Sequence, residues 1–333
     1  MQAPAFWWRS PGLVSGALAP LGAIYGAIAG ARMKRPGAQA AVPVICIGDP
    51  TVGGAGKTPT AIAVAELLLE AGETPFFVTR GYGGREKGPL VVKVQEQSAE
   101  DVGDEPLLLT SVASVVVSAD RVAGAKLAAE SGASVIVMDD GFQNPALAKD
   151  ISLLVVDSAS GVGNGSVFPA GPLRAPLDAQ IERASAIVLV GKGEAGEKIA
   201  RQAAARGKPV LRAHLTPEPE TVTEIRGQNV LAFAGIGRPA KFFATLEEIG
   251  CNVAERRAFP DHHVYSESDA RELLKAARAR NLTLVTTAKD HARMYKNAAL
   301  NELADASSVL PVDLHFEGET ALKVLLKSAL ARR

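Results

Sequence analysis

Residues 51–58, TVGGAGKT, carry the strongest suggestion of chemistry in the 333-residue chain. Gly53, Gly54 and Gly56 let a backbone curl so that successive N–H groups converge on phosphate oxygens, and a helix starting at the end of the loop adds its dipole. Lys57 is placed to neutralise the β- and γ-phosphates of a nucleotide, and Thr58 to offer its hydroxyl to Mg²⁺. Thr51, Val52 and Ala55 complete the loop. The usual G-x-x-x-x-G-K-T pattern has glycine where this chain has Thr51, so the motif is a variant. A structural glycine turn is the competing reading, and the strand-loop-helix context favours nucleotide binding. Asp139 and Asp140 close the apolar run SVIVMDD, the place where a parallel sheet presents ligands and where a carboxylate holds Mg²⁺. Two adjacent carboxylates repel, which a cation relieves; a turn or helix-cap pair is the plainer alternative.

The elements that must position these groups alternate along the chain. VPVICIGD reads as a buried strand before the loop and TPTAIAVAELLLEAG as a helix after it, closed by Gly72. PFFVTR, ASVVVSA, SVIVMDD, ISLLVVD and AIVLVG read as further strands, with RVAGAKLAAESG a helix among them. Short Val/Ile runs followed by helices are what a parallel sheet buried on both faces requires. The expected fold is therefore α/β, with a P-loop-containing, doubly wound, mostly parallel sheet. HLTPEPETVTEIRGQ, rich in Pro, Thr and Glu, reads as a linker of extended chain. VLAFAGIG then opens a smaller α/β unit with helices near PAKFFATLEEIG and SESDARELLKAARARN and a strand TLVTTA. The expected division is an N-terminal segment over 1–35, a core domain over 36–210, a linker over 211–228 and a second domain over 229–333 whose last segment can pack back on the core.

Thirty-six basic residues balance thirty-six acidic ones, which argues against a nucleic-acid partner. Nothing points to an obligate protein partner. Cys46 and Cys251 are far apart and form neither a metal cluster nor a disulfide framework, as expected of a reducing compartment. At the N-terminus, Phe6, Trp7 and Trp8 lead into an uncharged run from Gly12 to Ala31, followed by Arg32, Lys34 and Arg35. The run is about the ~20 residues that span a bilayer, but Pro20 and several glycines weaken it as a spanning helix. An interfacial anchor on a membrane surface fits better, with aromatics at headgroup depth and basic residues against anionic lipid; a helix packed on the protein's own core is the alternative.

The motifs VGGAGKTP, VTRGYGG, GDEP, SADR, DDGFQN, PAGPLR, AFAGIGRPAKFF, FPDHHVYS and TTAKD occur in an order that resembles the tetraacyldisaccharide 4′-kinase family of lipid A biosynthesis. The resemblance runs from the aromatic N-terminus through Asp290. It implies phosphoryl transfer from ATP to the 4′-hydroxyl of a tetraacylated glucosamine disaccharide 1-phosphate, the lipid A precursor, at the cytoplasmic face of the bacterial inner membrane. Asn144 stands where the DDGFQ motif is expected to continue with His, which puts a role for histidine at that position in doubt.

By the same resemblance Asp104 in GDEP is the catalytic base and His262 its partner from the second domain. A carboxylate can accept a sugar hydroxyl's proton late in phosphoryl transfer, whereas the sequence around Asp104 alone reads as a turn. His262 and His263 beside Asp261 lack a third ligand for zinc. Arg80, Tyr82, Arg121, Gln143 and Arg174 are implied to face substrate, since Arg binds a glycosyl phosphate bidentately; singly, each reads as a surface charge or a core side chain. Two other classes fit the loop and the Asp139–Asp140 pair: a P-loop metallochaperone or synthetase, which needs no apolar N-terminal anchor, and a membrane-docking nucleotide switch, which needs no acceptor hydroxyl.

Overall fold

The computed structural model describes residues 3–295 and 297–331; residues 1, 2, 296, 332 and 333, which the expected terminal segments include in part, lie outside the described residues. A 3₁₀ turn at Ala5–Trp8 precedes α1 (Leu13–Met33). The first domain then runs β1 (Val44–Gly48), α2 (Lys57–Glu70), β2 (Pro75–Thr79), β3 (Leu90–Val91), α3 (Ala99–Val102), α4 (Asp104–Leu109), β4 (Ser114–Val117), α5 (Arg121–Glu130), β5 (Val135–Asp139), β6 (Ile151–Asp157), α6 (Leu177–Arg183), β7 (Ala186–Val190), α7 (Glu194–Ala204) and β8 (Val210–Pro217). The second domain comprises α8 (Pro219–Ile225), β9 (Asn229–Ala234), α9 (Pro239–Glu248), β10 (Asn252–Ala258), α10 (Glu267–Arg280), β11 (Thr283–Thr287), α11 (Ala288–His291), α12 (Ala298–Asp305) and β12 (Ser307–Leu310). The chain ends with β13 (Val312–Phe316) and α13 (Thr320–Leu330).

Among the described residues, a nine-stranded sheet in the order β13-β8-β7-β6-β1-β5-β2-β4-β3 forms the first domain, and a four-stranded sheet, β10-β9-β11-β12, the second. The large sheet is parallel except at its edges, where β3 and β13 run antiparallel to their neighbours. Alternation along β1 explains why it is central: Ile45 and Ile47 enter the core shared with α2 and α13, while Val44 and Cys46 enter the core on the opposite face. A strand buried on both faces is apolar throughout. The smaller sheet is sandwiched likewise, with Leu231 and Phe233 on one side and Val230, Ala232 and Ala234 on the other.

Residues 211–228, expected as an extended linker, are mostly strand β8 and helix α8. The reason is long-range: β8 pairs with β7 on one side and takes β13 on the other, with Leu215 opposite Leu314 and His214 opposite His315. The C-terminal segment thus returns to the first domain, where Leu314, Leu322 and Leu326 join its core.

Helix α1 covers part of the N-terminal run with the protein's own surface and leaves part exposed. One face packs on the protein: Ser15, Gly22, Gly26 and Met33 are buried, and a Cβ on Gly22 would lie 2.8 Å from the Val167 carbonyl oxygen. Trp7 Nε1 donates to the Pro169 carbonyl at 3.1 Å and Ser15 Oγ to that of Ala170 at 2.9 Å. The other face exposes Leu21, Ile24 and Ile28, each more than half accessible. Pro20 lies inside the helix without ending it. Among the described residues α1 is the one helix long and apolar enough to cross a membrane.

Candidate active site

The phosphate loop connects β1 to α2 as expected. Gly53 (φ 131°) and Gly56 (φ 94°) occupy left-handed backbone that other residues avoid. Among the described residues no acceptor meets the N–H groups of Gly53, Gly54, Ala55 or Gly56. A row of free amides at a helix N-terminus is an anion site in waiting.

Beneath the loop, Lys57 Nζ donates to Asp49 Oδ2 at 2.7 Å. Burial works against the Lys57 charge, but the Asp49 carboxylate outweighs it and raises the lysine above its ordinary value. Arg174 reinforces the root of the loop: Nε donates to the Thr51 carbonyl at 2.9 Å, Nη2 lies 3.3 Å from Asp49 Oδ1, and Nη1 donates to the two carboxylate oxygens of Asp140 at 3.2 and 3.3 Å. Gln143 Nε2 donates to the Asp49 carbonyl at 2.7 Å and to Gln180 Oε1 at 2.9 Å. Arg121 is buried, with donors on the carbonyls of Ser118 and Asp140. Arg121, Gln143 and Arg174, expected to face substrate, are therefore engaged in holding the loop and the Asp139–Asp140 turn. Arg80 and Tyr82 are exposed, and Tyr82 lines a cavity with Asp104 and His262.

The adjacent carboxylates have opposite surroundings. Asp140 takes φ 54°, a left-handed conformation. Its burial opposes ionisation, yet Lys57 and Arg174 hold it below the usual carboxylate range. Asp139 is buried with neither carboxylate oxygen hydrogen-bonded among the described residues. Burial, together with the charge of Glu105, pushes its carboxyl up to about 7. A buried carboxylate without a donor is costly unless something charged meets it. Asp139 at the edge of the parallel sheet, with the buried Thr58 hydroxyl at the start of α2, is a fit donor set for a hard divalent cation such as Mg²⁺.

Asp104 opens α4 immediately after Gly103, where φ is 93° and a Cβ would lie 2.5 Å from the Tyr82 carbonyl oxygen. Across the interdomain cleft His262 Nδ1 stands 3.5 Å from Asp104 Oδ1, and the Tyr82 ring lies 5.0 Å from the imidazole. Burial opposes the Asp104 charge, but contact with His262 and the charges of Arg293 and Lys289 outweigh it, so the carboxyl stays well below the usual range. The same contact raises His262, against a smaller opposing effect of burial.

Several members of the site escape a reading of the sequence. Arg293 Nε donates to Asp104 Oδ2 at 3.0 Å, and its Nη1 to Asp290 Oδ1 at 3.0 Å. Tyr265 donates its hydroxyl to the same Asp290 oxygen at 2.9 Å. Lys289 donates to Glu105 at 2.6 Å, and both charges act on Asp139. Lys289 and Glu105 thus link the start of α4 electrostatically to Asp139. Asp157, at the end of β6, pairs with Arg238 and Lys241 of the second domain. Asp49 and Asp157 each follow or end an apolar strand, a signal identical to the one that marks Asp139. Lys289, Asp290 and Arg238 lie within the motifs TTAKD and AFAGIGRPAKFF.

A buried carboxylate without a donor, a loop of free amides and a second carboxylate that faces the other domain together suit phosphoryl transfer to a hydroxyl. Comparison with known proteins agrees. The family model LpxK, Tetraacyldisaccharide-1-P 4′-kinase, matches residues 14–331. A Tetraacyldisaccharide 4′-kinase of Rhodopseudomonas palustris strain BisB5 is 53% identical over 326 residues, covering 98% of this chain and 96% of that protein. Its counterpart in Nitrobacter winogradskyi is 51% identical over 332 residues, covering 100% and 98%. Among solved structures, the "apo" form of LpxK from Aquifex aeolicus in complex with ATP superposes with a TM-score of 0.73 at 28% identity, covering 96% of this chain and all of that one.

Proposed function

This chain belongs to the tetraacyldisaccharide-1-P 4′-kinase family, and from that premise we propose how its residues move the γ-phosphoryl group of ATP onto the 4′-hydroxyl of a tetraacylated glucosamine disaccharide 1-phosphate. The free amides of Gly53–Gly56 take the ATP phosphates, and Lys57 turns from Asp49 towards them as charge builds on the transferring group. Thr58 and Asp139, with Asp140 beside them, would hold Mg²⁺. That ion, when bound, neutralises charge on the β- and γ-phosphates. The observation that carries this reading is Asp139, a buried carboxylate without a donor next to a loop of unpaired amides.

Asp104 accepts the proton of the attacking hydroxyl. Its surroundings keep it ionised at working pH, and a weak base suffices because the proton leaves late. His262 orients it. Arg80 binds the glycosyl phosphate, and Tyr82 lines the entry beside His262. Arg121, Gln143 and Arg174 act through the loop and the Asp140 turn. The exposed face of α1 lies on the cytoplasmic face of the bacterial inner membrane, with Arg32, Lys34 and Arg35 against anionic lipid.

Transfer of labelled γ-phosphate to the disaccharide acceptor in mixed micelles tests the assignment. Lys57→Ala is expected to lower kcat by about 10²- to 10³-fold, the scale of losing one preorganised electrostatic contact. Near-native turnover by this variant at saturating ATP would remove the loop from the mechanism.

A further inference from the structure

Arg238 reaches from the second domain onto the tip of the phosphate loop. Its Nη1 donates to Asp157 Oδ1 at 2.9 Å and to Ser160 Oγ at 3.2 Å. Its Nη2 donates to the Gly54 carbonyl at 2.9 Å and lies 2.8 Å from Asp157 Oδ2. Asp157 is a prepared seat for that guanidinium. It ends β6, next to β1 in the sheet, is almost wholly buried, and also accepts from the Ser160 N–H at 3.0 Å and from Lys241 Nζ at 3.2 Å. Saturated by protein donors, this carboxylate is not the one left for a metal.

Gly54 needs such an anchor. A Cβ built on Gly53 or Gly54 would meet no atom within 4 Å, and glycine backbone turns freely where nothing packs on it. In a trans peptide the C=O and the following N–H point in opposite directions. A Gly54 carbonyl tied outward to Arg238 therefore aims the Ala55 N–H to the opposite side, into the curl of the loop. An untied 54–55 peptide samples both orientations, and an anion nest loses affinity when one of its N–H groups faces away.

We propose that Arg238 is a positioning residue for ATP: acting from the second domain, it fixes the Gly54–Ala55 peptide so that the Ala55 N–H faces the phosphates. This rests on the phosphate-loop reading above. It also makes ATP affinity depend on the second domain lying over the loop.

Calorimetric ATP binding to the full chain, alongside kcat and KM for ATP with saturating acceptor, tests it. Arg238→Ala is expected to raise both Kd and KM for ATP about tenfold, the size of one lost charge-assisted hydrogen bond, with kcat at saturating ATP changed by less than about threefold. Arg238→Lys keeps the charge but gives up the second arm of the fork, which engages Asp157 Oδ1 and Ser160 Oγ, so it should recover only part of the lost affinity. Asp157→Asn, which loosens the seat without touching the loop, should shift affinity in the same direction by less. Thermal unfolding of each variant separates this from loss of fold. Unchanged Kd in well-folded Arg238→Ala overturns the proposal. A fall in kcat with Kd unchanged overturns it too, since that pattern belongs to transition-state contact. Native turnover in Lys57→Ala would sink the loop reading itself, whereas an inactive Lys57→Ala beside a neutral Arg238→Ala would sink only the positioning role.

Discussion

Arg293 of the second domain places two donors, Nε and Nη2, on one oxygen of Asp104 in the first, leaving the other oxygen to His262. The carboxylate is thereby oriented, with Oδ1 the side from which it can take a proton. Asp104→Ala is expected to lower kcat by about 10²- to 10⁴-fold, the range for general-base loss, with ATP affinity little changed. His262→Ala should cost less. If the two act as a unit, the double variant should be scarcely worse than Asp104→Ala alone. Single-turnover rates with the lipid acceptor present check this, and losses that simply multiply would show independent roles.

Asp139 predicts a pH-dependent response to Mg²⁺. Its carboxyl is raised to about 7 in the folded protein, against roughly 3.9 in an unfolded chain. The folded state therefore binds the extra proton, and its stability falls as pH rises from about 4 through about 7. A metal that replaces that proton has most to contribute above pH 7. Mg²⁺ at about one hundred times its Kd should add about 2.7 kcal/mol to unfolding, visible as a rise in Tm that is larger at pH 8 than at pH 6. Asp139→Asn should abolish most of the rise. An equal Mg²⁺ effect in that variant would place the ion elsewhere.

The exposed face of α1 predicts membrane affinity without loss of fold. Deleting the whole segment would uncover the core around Trp7 and Met33, which are buried, so substitutions are the cleaner test. Leu21, Ile24 and Ile28 lie on one helical face and are exposed. Burying each in lipid contributes about 1.5 kcal/mol or more. Replacing all three with Gln should weaken co-sedimentation with anionic vesicles by at least about tenfold and raise KM for the lipid acceptor, while Tm and ATP affinity stay near native. Undiminished partitioning would rule out this face as the anchor.

Local signals are legible in the sequence wherever one segment supplies both the element and its chemistry. The loop of Gly53, Gly54 and Gly56 announces itself between an apolar strand and a helix, and Asp139 at the end of an apolar run announces the sheet edge. Asp49 and Asp157 bear the same mark without the same surroundings. What separates them from Asp139 is their partners, Lys57 in one case and Arg238 with Lys241 in the other, and those pairings exist only after folding. Arg293 is a further case, since its meeting with Asp104 spans two domains. The expected linker fails for a related reason: Pro, Thr and Glu between residues 214 and 228 weaken local strand propensity, yet pairing with β7 and β13 makes Val210–Pro217 a strand. The N-terminal run is ambiguous because apolar content does not tell which face of a helix a protein will cover.

The return of the chain to the large sheet sets an order on its assembly. As synthesis proceeds from the N-terminus, β8 is made with one edge bare, and the second domain, a continuous stretch from α8 to β12, is complete before the strand that covers that edge emerges. Only when β13 lies down antiparallel to β8, with Leu314 and then Leu322 and Leu326 of α13 entering the first core, are the sheet edge and that core closed. Until then the nascent protein carries an open strand edge, a template for mispairing with another chain. The segment made after the whole second domain is thus the one that seals the domain made before it.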